Sequence, residues 1–321
     1  MLYPLKFKPI MKDRLWGGSK LKELFNKPSD TDTTGESWEL SGVPGDVSEL
    51  VNGPLAGKNL NQLIKEYGSE LMGSSVLERF KGEFPILIKF IDAKKDLSIQ
   101  LHPNDALAKE RHNSFGKTEM WHVMDADPGA QLIVGFNRNV TQGEYQKCLE
   151  NDTLLSLLNY ENVTAGDTFF INTGKIHAIG AGVLLAEIQQ TSDVTYRVFD
   201  FNRKDKDGNL RELHTELALD AMDYDKKEDF KVAYSKESDV ISSMVVCPYF
   251  KTNFLHLTQS MTQKVADRDS FTIYLCVEGQ ASITNDWGTT AIEKGETLLV
   301  AAASTFIEIT TKGAKLLEVT I

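Results

Sequence analysis

Cysteine is scarce in this sequence. Its three thiols, Cys148, Cys247 and Cys276 in 321 residues, are odd in number and widely separated, which excludes a disulfide framework and any CxxC metal knuckle. Reduced structural thiols in a cytoplasmic protein are the expectation. Long apolar runs are missing too: no stretch approaches the roughly 18–20 consecutive apolar residues of a spanning helix. The first eighteen residues also lack the apolar core of a secretory signal, so a soluble protein with no membrane partner is expected. The third shortage is positive charge, with 35 Lys and Arg against 46 Asp and Glu, a net −11. Nucleic acid and anionic membrane surfaces select a basic face, so neither is an expected partner. An anionic ligand needs a local basic pocket. The remaining composition, 41% hydrophobic and 25% charged, is ordinary for a globular protein.

What is abundant is strand grammar: period-two patterns and short apolar runs closed by Gly, Asn or Asp. Strands are expected at 84–91, 97–101, 131–134, 167–172 and 183–189. Helical patterning is confined to about Asn59–Leu71, Asp105–Arg111, Gln142–Leu158 after a capping Thr141, and Thr215–Met222. Mostly β with a few peripheral helices predicts a sandwich or jelly roll rather than a parallel α/β sheet. The charged runs Arg203–Gly208 and Asp225–Glu228 read as solvated loop, and the second suggests a boundary near residue 235. Two units are expected, 1–235 and 236–321. Supporting them, Gly166–His177 can be laid over Gly295–Phe306 without a gap, with Gly, an acid, Thr and three apolar residues recurring in order. His177 meets Phe306 in that overlay, so the first copy should hold the polar chemistry.

Gln100 and His102 lie two apart in a predicted strand and therefore project to one side, where Pro103 ends the ladder. Ser98 shares that polar side, opposite Leu97, Ile99 and Leu101. Glu119 precedes another strand, and His177 closes the turn-strand that begins at Gly166. Together, two His, one Glu and one Gln suit Zn²⁺ or another borderline divalent ion with room for water or substrate. His112, His122, His214 and His256 lack such a context; His122, a neighbour of Glu119, is the one most easily overlooked.

The segments carrying these residues, Ser98–Asn104, Gly116–Trp121, Gly174–Gly182 and Glu187–Asp200, with Arg14–Gly18 and Gly35–Ser41, resemble the class I mannose-6-phosphate isomerases. The short bacterial form is the most similar, and the match runs in order from about residue 5 to the C-terminus. The resemblance implies a cupin-type jelly roll with peripheral helices, plus a second, smaller cupin-like β unit without metal. It implies one zinc ion per chain on Gln100, His102, Glu119 and His177, with Arg197 in the active site. The implied reaction interconverts mannose 6-phosphate and fructose 6-phosphate by proton transfer between C1 and C2 through an enediolate. Another metal cupin, such as a dioxygenase, and a non-catalytic sugar-phosphate sensor are the alternatives.

That chemistry needs a proton shuttle and a phosphate anchor. Arg197 offers a charge that does not titrate near neutrality, although a salt bridge to Asp193 or Asp200 is its simpler reading. Lys117 and Lys175 each stand two residues before a ligand and are candidates for phosphate contact or oxyanion support. Ser98 is a further candidate substrate contact. Glu187, in an otherwise apolar strand, is either buried and paired or a base whose affinity for its proton is raised by desolvation. Glu187, a lysine and a metal-bound water all remain open as the base.

Overall fold

The computed structural model describes residues 1–204, 207–227 and 230–321. Within them the chain is mostly β, in three antiparallel sheets that do not close. A six-stranded sheet runs in the order Ile10–Gly18, Thr34–Leu40, Ile86–Ala93, Val183–Gln190, Glu119–Ala126 and Thr168–Ile171. The five-stranded sheet has the order Tyr196–Phe199, Ile99–Leu101, His177–Ile179, Gln131–Phe136 and Leu158–Asn162. These two form the first jelly roll. The third sheet belongs to the C-terminal region, from Ile241–Val246 to Ala314–Thr320, and accepts one visitor: Leu5–Lys6 pairs with Leu299 and Leu298. That pairing carries the N-terminus across the expected division at 235.

Period-two alternation explains how the six-stranded sheet serves two neighbours. Every residue of Ile86–Ala93 and Val183–Gln190 is buried, so both faces are covered. Ile86, Ile88, Phe90, Met120, Leu184, Ala186 and Ile188 face one core cluster with Phe254, Phe271 and Leu317 of the C-terminal sheet. Ile91, Trp121, Val123, Val183 and Leu185 face the other way, into the interior of the jelly roll. Each such side chain contributes roughly 1.5–3 kcal/mol on burial, which fixes the register by which polar members of the inner face are aimed. His122 falls on the outer face with the C-terminal unit: its Nδ1 lies 2.9 Å from Thr168 Oγ1, and its ring is 6.2 Å from Phe254. Proximity in sequence to Glu119 thus put it on the wrong side of the strand for that site.

Several helical expectations needed correction. The pattern at Asn59–Leu71 is broken into Leu60–Tyr67, Ser69–Met72 and a further helix, Ser74–Phe80. The breaks are Gly68 and Gly73, at φ +48° and +90°, and a Cβ on Gly73 would lie 2.4 Å from Asp269 O. The pattern at Gln142–Leu158 is helical only to Glu150; a 3₁₀ turn, Leu154–Leu157, then leads into the strand that begins at Leu158. A short helix at Lys20–Phe25 had no counterpart in the patterning. The solvated-loop reading falls outside the described residues at 205, 206 and 228. No described helix is long and apolar enough to cross a membrane, and all three cysteines are free.

The internal echo extends well beyond the overlaid segments. Gly166 and Gly295 both turn at positive φ, +87° and +85°, and their N–H groups donate to Val123 O and Cys276 O at 2.8 Å in each case. Val123 N and Cys276 N return bonds to Asp167 O and Glu296 O. Trp121 pairs with Phe169 and Glu187, and Tyr274 pairs correspondingly with Leu298 and Glu318. Lys89 lies opposite Glu187 as Asn253 lies opposite Glu318. Glu119 opposite Ile171 maps onto Thr272 opposite Val300, and Gln100 opposite His177 maps onto Lys264 opposite Phe306. Counting two residues on from Lys264 puts Ala266 at the place of His102. All four expected ligand positions therefore carry a different residue in the second unit.

Candidate metal centre

Strand pairing assembles the site from three chain segments. His177 sits opposite Gln100, and Arg197 lies opposite Gln100 on its other side. Just beyond the strand, His102 is anchored because its carbonyl accepts from Gly174 N at 2.8 Å. Gly174 turns at φ +81°, where a Cβ would lie 2.5 Å from Ala221 O, so the close approach requires glycine. From the facing sheet, Glu119 opens its strand and completes the group.

His102, Glu119 and His177 are 1%, 1% and 0% exposed, and their candidate ligand atoms all lie within 4.8 Å of one another. His102 Nε2 is 3.3 Å from Glu119 Oε1, and His177 Nε2 is 3.7 Å from Oε2. Each imidazole has its other nitrogen against a backbone carbonyl: His102 Nδ1 at 2.9 Å from Val194 O, His177 Nδ1 at 2.7 Å from Lys175 O. A carbonyl can only accept, so the proton belongs on Nδ1 and the Nε2 lone pair points inward. Both Glu119 oxygens and His177 Nε2 lack a hydrogen-bond partner. The Lys117 ammonium is 3.0 Å from Oε1, an ion pair without hydrogen-bond alignment. Buried donors and acceptors left open in this way are costly unless a further group satisfies them, and the set fits a divalent cation.

The electrostatics prepare the same protonation state. Burial, then the Lys117 charge, pushes His102 down to about 4, and burial also lowers His177. For Glu119, burial acts upward but is outweighed by Lys117, His102 and His177, which hold its carboxyl well below the usual range. Neutral imidazoles beside an ionised carboxylate are the forms that bind metal.

A cavity of about 300 Å³ adjoins this group, lined by Ser98, Gln100, Lys117, Glu187 and Arg197 among others. Glu187 is 4% exposed, and its carboxylate accepts from Trp121 Nε1 at 2.8 Å and Lys89 Nζ at 3.0 Å. Arg197 donates from Nε to Ser98 Oγ at 3.2 Å and from Nη1 to Glu212 O at 3.0 Å. It forms no ion pair with Asp193 or Asp200; Asp200 is taken by Arg203 and Arg211. Lys175 departs from expectation: its ammonium donates to Phe170 O at 3.0 Å and it does not line the cavity. Its carbonyl, rather than its amine, meets the site.

Patterning gave no role to four charged residues here. Arg14, Glu36, Lys89 and Arg211 line the cavity, and Asp200 stands behind Arg211. Arg14 makes a two-point contact with Glu36 at 3.0 Å, and Glu36 also accepts from Trp38 Nε1. Burial acts upward on Glu36, yet Lys89 and then Arg14 hold it down at about 2. The one available signal was Lys89 itself, a lone cation inside an apolar strand.

An open jelly roll with buried histidine and carboxylate donors beside a cation-lined cavity defines a cupin fold with a candidate metal site. Comparison with known proteins narrows this. The family model described as phosphomannose isomerase type I, catalytic domain, matches residues 4–126, and that for the mannose-6-phosphate isomerase cupin domain matches 240–319. A mannose-6-phosphate isomerase from Streptococcus mutans is 34% identical over 94% of this chain and 93% of its own length. Mannose-6-phosphate isomerase ManA of Bacillus subtilis is 34% identical over 92% of each. The crystal structure of the mannose 6-phosphate isomerase from Bacillus subtilis superimposes with a TM-score of 0.88 at 30% identity, covering 99% of both chains. The chain belongs to the type I mannose-6-phosphate isomerase family.

Proposed function

We propose that this chain interconverts mannose 6-phosphate and fructose 6-phosphate by moving a proton between C1 and C2 through an enediolate, with one zinc ion per chain held by Gln100, His102, Glu119 and His177. The observation that carries the reading is the set of orphaned ligand atoms on Glu119 and His177 at the side of a cation-lined cavity. The mixed nitrogen and oxygen donors suit zinc. When bound, the ion supplies Lewis acidity at the O1/O2 end of the sugar, worth several kcal/mol of charge stabilisation.

The remaining work falls to side chains. Lys117, fixed beside Glu119, sets a cation next to the oxygens on which charge develops. Arg197 adds a second positive charge, positioned through Ser98 and the Glu212 carbonyl. Glu187 borders the cavity and is the carboxylate placed to accept a proton; the Trp121 and Lys89 bonds set its direction. Ser98 and Arg197 contact substrate, while Lys175 contributes by holding the His177 ring through its carbonyl. Residues 1–235 form the catalytic unit and 236–321 a metal-free unit, in a cytoplasmic enzyme. Metal-loaded protein should convert either sugar phosphate into the other, and a loaded protein inert on both sinks the reading.

A further inference from the structure

Asp200 is 5% exposed, and two arginines share its carboxylate. Arg203 donates to it from Nε at 3.2 Å and from Nη2. Arg211 donates from Nε to Oδ2 at 2.7 Å and from Nη2 to Oδ1. One carboxylate against two guanidiniums leaves a surplus positive charge at this corner. The chain then folds back along Arg197: His214 N donates to Arg197 O at 2.7 Å, and Arg197 N donates to His214 Nδ1 at 3.2 Å. This return brings Arg211 to the wall of the cavity that Arg197 also lines.

The donor inventory is lopsided there. Arg197 uses Nε and Nη1 on Ser98 and Glu212, while Arg211 uses Nε and Nη2 on Asp200. Among the described residues Arg197 Nη2 and Arg211 Nη1 have no partner, and no carboxylate lies in ion-pair range of Arg197. Burial, then the charge of Arg211, makes Arg197 a weaker base than usual. Arg14 is paired with Glu36 and Lys89 with Glu187, and Lys117 with Glu119. Among the described residues, the exposed Asp193 is the one carboxylate lining the cavity that has no ion pair. Two guanidiniums lining one cavity, each with an unused arm of its fork, offer the kind of donors that a tetrahedral oxyanion accepts.

We propose that Arg211, presented by Asp200, is the second guanidinium of a phosphate subsite shared with Arg197, and that this pair selects the phosphorylated sugar over the free one. Asp200 is a positioning residue in this arrangement. The inference rests on the isomerase reading for its substrate but not for its anion chemistry. The test uses full-length, metal-loaded protein, with the Kd for inorganic phosphate measured by calorimetry and KM and kcat for mannose 6-phosphate. Arg211→Gln should raise both Kd and KM by roughly tenfold, the loss of one charge-assisted contact, and should raise KM by more than it lowers kcat. Arg211→Lys should fall between, since it keeps the charge and loses the fork. Asp200→Asn should shift both constants in the same direction by less. Wild-type Kd and KM in Arg211→Gln overturn the proposal; if that variant does not fold, wild-type values in Arg211→Lys do so. A wild-type protein that binds phosphate through Arg211 yet turns over no mannose 6-phosphate sinks the isomerase reading and spares the subsite.

Discussion

In the first β unit Glu187 accepts from Trp121 and Lys89; at the register-equivalent place in the second, Glu318 accepts from Tyr274 Oη at 2.9 Å and Asn253 Nδ2 at 2.8 Å. Carboxylate, aromatic donor and cross-strand amine or amide recur with the same partners. What differs is the next shell. Glu119 becomes Thr272, His177 becomes Phe306, and Arg268 donates to Thr272 Oγ1 at 2.8 Å and lies 3.4 Å from Glu318. Both units give this carboxylate a covalently attached cation, Lys89 in the first and Arg268 in the second. The first leaves Glu119 and His177 with open ligand atoms. The shared features read as scaffold, and the differences fall at the residues proposed to hold the ion.

The largest effect should come from breaking the difference. His177→Ala or Glu119→Gln should abolish metal retention and lower turnover at least about a thousandfold, matching several kcal/mol of lost charge stabilisation. Phe306→His, with Thr272 and Ala266 still in place, should leave the metal content of the protein unchanged. Ion content by mass spectrometry on the same preparations checks both.

Next comes the shared carboxylate. Glu187→Gln should reduce kcat roughly a hundredfold if it handles the proton. Glu318→Gln should leave kcat near wild type but cost roughly 3 kcal/mol of stability, because Arg268 then keeps a partly buried charge without its counter-ion. If both variants lose only stability, Glu187 is scaffold like its counterpart and the proton is handled elsewhere.

The smallest effect is on acid stability of the metal-free protein. His102 titrates near 4 in the fold, below its unfolded value, so the unfolded chain binds its proton first and stability falls as pH drops from about 6.5 to 4. Glu36, near 2 when folded, contributes stability that is full above about 4.5 and is lost as pH falls toward 2, about 3 kcal/mol in all. Glu36→Gln should flatten the lower part of a denaturation profile measured across that range.

Much of the centre was legible because strands impose a period of two. Gln100 and His102 had to share a side, and the turn at Gly166 announced the strand leading toward His177. Peripheral helices were legible where a cap marked them: Thr141 Oγ1 accepts from Glu144 N, and Asn104 Oδ1 from Leu107 N. The Arg211–Asp200 contact was not legible, since it depends on a loop that doubles back over Arg197, and periodicity says nothing of loop return. Glu36 and Arg14 meet across two strands whose pairing shifts register at Lys12–Asp13, so counting residues could not place them together. Lys175 misled because its two-residue spacing from His177 implied an extended segment, whereas a turn at Gly174 precedes it.

Titrating zinc into metal-stripped protein while following conversion of mannose 6-phosphate to fructose 6-phosphate tests the central claim most directly. Activity should be absent at the start, rise linearly and reach its plateau at about one ion per chain, the stoichiometry of a single closed donor set. Full activity before any metal is added, or a plateau reached only at two ions per chain, contradicts a single catalytic ion in the first unit and an ion-free second unit.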